Sequence, residues 1–186
     1  KRGVGLTTYI VQGPMARNVA DTSLMLAAMA GNDPCDPLSG PVDTSAFIEI
    51  EDIDLSQLRV AWSPDLGCVP IDNDIARIFE ERVGKIASSF KSCERRDPDM
   101  KRALDVFWII RGVGFLAGRM DAYRNTPELL GPNVTSNVEA ALKMTAEEIG
   151  WANAEQTAIY RRFQDFFHDV DVLLCPGNSV PPFPVE

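Results

Sequence analysis

Leu58-Arg59-Val60-Ala61-Trp62 is a short, largely apolar run that reads as alternating in burial, and Ser63-Pro64-Asp65-Leu66-Gly67 follows it with turn residues. Together they predict a strand that ends in a loop. Asp72 then offers an N-capping side chain, and Ile75, Ile78, Phe79, Val83, Ile86 and Phe90 recur at helical spacing as one apolar stripe. Strand, loop and amphipathic helix in this order predict an α/β fold, because a helix with one apolar side must bury it against a neighbouring layer.

The same logic extends downstream. A βα rhythm asks for a strand after this helix, yet Ser92-Cys93-Glu94-Arg95-Arg96-Asp97-Pro98-Asp99 lacks strand character and is expected as a loop. From Met100 to about Tyr123 a long helix is expected, carrying Leu104, Phe107, Trp108, Ile110, Phe115 and Leu116. Gly112, Gly114 and Gly118 interrupt it, each costing about 1 kcal/mol of helix propensity. Their spacing is wrong for a dinucleotide loop and no strand precedes them, so close packing or a break is their expected role. A shorter helix is expected around Asn133 to Lys143. Thr145-Ala146-Glu147-Glu148 has capping-box spacing and opens a last long helix whose buried side is Ile149, Ala152, Ile159, Tyr160, Phe163, Phe166 and Phe167. Asp171-Val172-Leu173-Leu174 is a compact strand. It runs into Cys175-Pro176-Gly177-Asn178-Ser179-Val180-Pro181-Pro182-Phe183-Pro184, whose prolines predict an extended loop.

Upstream, Gly13-Pro14 is expected to open a helix with Pro at its first position, and Gly31 to stop it. Arg17 and Asp21 would then pair at i and i+4. Asn32-Asp33-Pro34-Cys35-Asp36-Pro37 is a turn, and residues 39–54 read as a surface connection.

Composition bounds the function classes. The 186 residues are 45% hydrophobic, which excludes a disordered chain, and the net charge of -9 argues against a nucleic-acid partner. Cys35, Cys68, Cys93 and Cys175 are too far apart for a local zinc site, and His168 is the sole histidine, so no metal is expected. The thiols read as reduced and mostly buried. No apolar run approaches the ~20 residues of a membrane span, and Lys1 to Gly5 lead into no apolar signal core. A cytoplasmic location is expected, and the sequon Asn133-Val134-Thr135 then reads as coincidence. No serine sits in a glycine-flanked nucleophile elbow. His168 reads as a helix-end residue, and Glu147-Glu148 as partners of a helix N-terminus. By residue chemistry alone no active site is visible.

Two separated segments resemble a known family. Val11-Gln12-Gly13-Pro14-Met15-Ala16-Arg17-Asn18-Val19-Ala20-Asp21, with Ala30-Gly31-Asn32-Asp33-Pro34 through Asp36-Pro37, resembles the conserved segment of the amidase signature family. Tyr160-Arg161-Arg162-Phe163 through Asp171-Val172-Leu173-Leu174-Cys175-Pro176 to Val180-Pro181-Pro182-Phe183-Pro184-Val185-Glu186 is similar to its C-terminal region. The resemblance implies an α/β fold with helices flanking a mixed sheet, the other strands coming from an N-terminal half. Residues 1–186 are then the C-terminal part of a single domain, with interruptions of the family pattern near 1–12 and 90–100.

It also implies hydrolysis of carboxylic amides to acid and ammonia or amine by a Ser, cis-Ser, Lys triad with an oxyanion hole. That triad belongs N-terminal to the first matching segment, so no catalytic residue is expected in this chain, which alone should be inactive. No metal or organic cofactor is implied. The implied partners are a small-molecule amide and the N-terminal half, without nucleic acid or membrane, and a homodimer is compatible with the family. The loop Cys175, Pro176, Gly177 and Asn178 is implied to approach the acyl-binding pocket, and Phe107 and Trp108 to border the substrate entrance. Two alternatives stay open. One is the family's amidotransferase subunit, which releases ammonia from glutamine for a tRNA-linked acceptor. It ranks lower because Met144-Thr145-Ala146-Glu147-Glu148 stands where that subunit carries a Gly-Thr-Tyr-type segment. The other is a non-catalytic α/β scaffold or binding domain.

Overall fold

Arg59–Trp62 (β1) is the expected strand and forms the centre of a three-stranded sheet, but its burial does not alternate, because the neighbours Val60 and Ala61 are both buried between half-buried flanks. The structure, a computed structural model, describes residues 13–36 and 38–183. It divides into two compact units, Lys1–Ile53 and Asp54–Glu186. Val11, Gln12, Pro37 and the last three residues, all quoted in the family resemblance, lie outside the described residues, as does the interruption expected near 1–12.

In the second unit β2 (Ser92–Arg95) and β3 (Val172–Leu174) both run parallel to β1, with Val60 opposite Cys93 on one side and Val172 on the other. The strand at Ser92–Arg95 corrects the expected loop. Backbone pairing, rather than side-chain burial, makes it a strand. Its side chains are exposed apart from the half-buried Cys93, as suits a short, charged sheet edge. Val60 and Ala61 are fully buried, and Ala61 packs with Phe166, Val170 and Leu173.

Helix α3 (Asn73–Ile86) joins β1 to β2 and starts as expected, with Asp72 Oδ1 accepting from the N–H groups of Asp74 and Ile75. Its apolar stripe is not wholly covered: Val83 is buried, but Ile78 and Ile86 are each 45% exposed. Three helices follow, α4 (Ala103–Asn125), α5 (Pro132–Ala141) and α6 (Ala146–Phe166). The capping box of α6 is present: Thr145 N–H donates to Glu148 Oε2 at 2.7 Å, and Glu148 N–H donates to Thr145 Oγ1 at 3.1 Å. On its expected buried side Ala152 and Phe166 are buried, whereas Tyr160 and Phe167 are exposed.

In the first unit the helix α1 (Val19–Met29) begins later than the Gly-Pro signal suggests. Asn18 caps it, its Oδ1 accepting from Asp21 N–H at 2.8 Å while its Nδ2 donates to Asp21 Oδ2 at 2.9 Å. A side chain that satisfies an orphan N–H sets the start. Asp21 is therefore engaged by Asn18 in place of Arg17, which precedes the helix. The connection expected over 39–54 contains a one-turn helix, α2 (Ser45–Ile48), where Asp43 Oδ1 accepts from Ser45 N–H. The thiols also differ from expectation. All four cysteines are free, but Cys35 and Cys175 are exposed and Cys68 and Cys93 half-buried.

The amino ends of β1 and β3 are clamped by one residue pair. Asp171 Oδ2 accepts from Arg59 N–H at 2.7 Å, Arg59 Nη2 donates to Asp171 Oδ1 at 2.7 Å, and Asp171 N–H donates back to Arg59 O at 2.8 Å. The Arg59 side chain and N–H lower the Asp171 carboxyl from 3.8 to about 2. A carboxylate with a depressed folded value stabilises above its unfolded value and loses that contribution as pH falls through the folded one. Asp171→Asn should therefore flatten the loss of thermal stability between about pH 4 and 2 relative to the parent sequence. Unfolding midpoints measured at pH 2.5 and 5 check this, and an unchanged acid slope contradicts it.

Candidate substrate cleft

A parallel sheet places the carboxyl ends of its strands on one side, and two loops leave from there. Residues 63–71 follow β1 and residues 175–179 follow β3. Because β2 and β3 lie on opposite sides of β1, the crevice between β1 and β3 is the place where strand order reverses. Open α/β sheets hold ligands at such a point, because the diverging loops leave a gap there. The gap in this protein is a cleft of about 280 Å³, lined by Pro64, Asp65, Leu66, Val69, Ile71 and by Cys175 through Ser179.

Its walls are fixed by backbone chemistry. Ser63 N–H donates to Leu174 O at 2.9 Å, carrying the β1–β3 pairing one residue past the strand. The Ser63 side chain is fully buried, and its Oγ donates to Asp97 Oδ1 at 2.7 Å. Gly67 has φ of +68° and an added Cβ would lie 3.1 Å from Asp97 Cβ, so a side chain there meets both backbone strain and a neighbour. Asp65 Oδ1 accepts from Gly67 N–H at 2.9 Å, and Asp65 O accepts from the N–H groups of Cys68 and Val69. The second loop is tied to the first helix turn of α3, where Asp72 N–H donates to Ser179 O at 2.8 Å.

The resulting space is small and about half apolar, with Asn178 and Ser179 as polar groups and Asp65 as the charged one. It lies near the lower end of the volumes that hold small molecules, about 300 Å³, and suits one compact group. It contains no nucleophile–base pair: the Ser63 hydroxyl is buried and committed to Asp97. Burial first, and the Asp65 charge second, push the Cys68 thiol up. Among the described residues no group of His, Cys, Asp and Glu side chains is arranged to hold a metal ion, and no helix is long and apolar enough to cross a membrane. A larger depression of about 690 Å³ is lined by one helix end alone, from Tyr160 to His168, and no strand end feeds it.

Cys175, Pro176, Gly177 and Asn178 thus come together in one cleft, whereas Phe107 and Trp108 lie outside its lining. Those two rings sit on α4, edge to face at 5.5 Å, with the Arg111 guanidinium 5.8 and 5.7 Å from them. The opposite wall, Pro64 to Ile71, is not singled out by the sequence reading. Its signal is present, since Ser63-Pro64-Asp65-Leu66-Gly67 is a turn at the carboxyl end of a strand. The bond from Ser63 to Asp97 has no local signal.

The fold is thus of the open parallel α/β class, with a ligand-sized cleft at the strand-order reversal. The amidase family model matches residues 6–186, and the chain belongs to that family. An acylamidase of Rhodococcus erythropolis is 27% identical over 180 residues, covering 96% of this chain and 38% of that protein. A glutamyl-tRNA(Gln) amidotransferase subunit of Rhodospirillum rubrum is 32% identical over 99 residues, 53% of this chain and 20% of that protein. The crystal structure of a bacterial aryl acylamidase of the amidase signature enzymes superposes with a TM-score of 0.76 at 18% identity. That superposition covers 92% of this chain and 37% of that one, and establishes the likeness of fold. The chain spans less than two fifths of the length of each of these three relatives.

Proposed function

We propose that residues 1–186 are the C-terminal part of an amidase that cleaves a small carboxylic amide to acid and ammonia or amine. In this reading the two units belong to one domain of the parent protein. The Ser, cis-Ser, Lys triad lies outside the chain, and the cleft between β1 and β3 receives the acyl group. The observation that carries it is the convergence of Cys175–Asn178 with Pro64–Ile71 at the strand-order reversal, in a chain of the amidase family. Phe107 and Trp108 border the entrance, for which the exposure of Trp108 is the support. The four free thiols go with a reducing, cytoplasmic compartment.

The amidotransferase reading is favoured by the likeness to the Rhodospirillum rubrum protein. Ammonia release from simple amides by the parent protein, without tRNA or partner subunits, separates the two. A strict requirement for a tRNA-charging complex would overturn the amidase reading. The cleft itself is tested by Cys175→Tyr. Cys175 is exposed, so the fold tolerates the change, while the ring fills the acyl space. KM for a small amide should rise about tenfold, a loss of about 1.4 kcal/mol of binding, with the thermal midpoint unchanged. An unaltered KM removes the cleft from the substrate site.

A further inference from the structure

The electrostatics of the cleft set which amides it accepts, an inference that rests on the reading of this cleft as the acyl site. Asp65 is the charged residue in the lining, and its carboxylate is held in place by the Gly67 N–H at 2.9 Å. The acids next to the cleft add to its sign. Asp97 accepts from Ser63 at one wall, and Asp72 caps α3 where the 175–179 loop is tied down. Arg95 and Arg96, at the carboxyl end of β2, are turned to other partners: Arg95 lies 3.9 Å from Glu80, and Arg96 reaches Asp169 at 2.8 Å and stands over the Phe166 ring. The negative field of Asp65 is felt within its own loop, where it adds to the rise at the Cys68 thiol.

A half-apolar cleft with one fixed carboxylate and no cation in its lining attracts positive groups, admits neutral ones, and repels negative ones. Like charges brought close near a protein surface repel, and salt screens this only partly in a recess. We propose that Asp65 is a specificity-determining residue that selects amides with a neutral or cationic acyl group and rejects those carrying a carboxylate.

Cys175 lies in the same lining and is exposed, so its rate of modification reports what enters the cleft, in the 186-residue chain or in the parent protein. The probes are a trimethylammonium and a sulfonate methanethiosulfonate reagent, with Cys35→Ser as background and the modified peptide identified by mass. The cationic reagent should react faster at Cys175, and Asp65→Asn should reduce the ratio of the two rates about fivefold at low salt. Asparagine keeps the oxygen that accepts from Gly67 N–H, so the turn survives, and Asp65→Glu should keep the bias. A ratio unchanged in Asp65→Asn overturns the proposal. Ligand protection separates this failure from failure of the acyl-site reading. Glycinamide and propionamide should slow Cys175 modification more than succinamate does. Equal protection by all three overturns charge selection alone, and no protection by any of them overturns the acyl-site reading and the proposal together.

Discussion

Expressed by itself, the 186-residue chain should turn over no carboxylic amide and should bind an apolar dye. The second unit explains the dye. Its sheet has three short strands, the outer strand β3 is only half-buried, and the two edges of the sheet have no further strand among the described residues. Ile78 and Ile86 on α3 are 45% exposed, and Trp108 on α4 is 54% exposed. Helices present such side chains to a second layer, and an exposed strand edge recruits another strand. The expected inactivity follows from the cleft, which contains no nucleophile paired with a base. Dye fluorescence, sedimentation and ammonia release from small amides are the measurements. A monomeric chain that unfolds cooperatively without binding dye contradicts the incomplete core. Turnover by the chain alone contradicts a triad placed elsewhere.

Gly112→Leu should destabilise by about 1–3 kcal/mol, because a side chain there has no room. An added Cβ would stand 2.6 Å from Met144 Cε and 3.2 Å from Ala141 Cβ, where α4 crosses the end of α5. Met144 is flexible and can swing away, so Gly112→Ala loses less, and the gain in helix propensity offsets part of it. Leucine must push α5 itself. Gly114 and Gly118 share the helix but have nothing within 4 Å of an added Cβ. Alanine at either should stabilise by about 0.5–1 kcal/mol. Thermal unfolding of the parent protein carrying each change is the check, with the midpoint lowered by Gly112→Leu and raised by alanine at Gly114 or Gly118. Equal shifts at Gly112 and Gly114 would show that the crossing does not depend on the missing side chain.

Local chemistry is legible wherever one short segment carries the whole signal. The Asp72 cap and the Thr145–Glu148 box satisfy backbone groups of their own helix starts, the turn residues after Trp62 close the first strand, and each of these elements stands where it is expected. The turn residues after β1 and the prolines after β3 likewise mark loops. Elements whose cause lies elsewhere in the chain are not legible. Ser92–Arg95 is a strand because β1 offers it a backbone ladder, and no side chain in the segment records that partner. Pro14 signals a helix start, but Asn18 is the residue that caps it. Periodicity locates the apolar faces of α3 and α6 yet does not tell how much of each is covered, because burial depends on the neighbours. The cleft is the clearest case. Sequence supplies one wall, Cys175 to Asn178, through a family resemblance. Only the parallel order β2-β1-β3 sets the other wall, Pro64 to Ile71, opposite it. That juxtaposition is long-range, since it needs a backbone bond from Ser63 to Leu174 and a side-chain bond to Asp97, and no local pattern of residues encodes a contact across such distances.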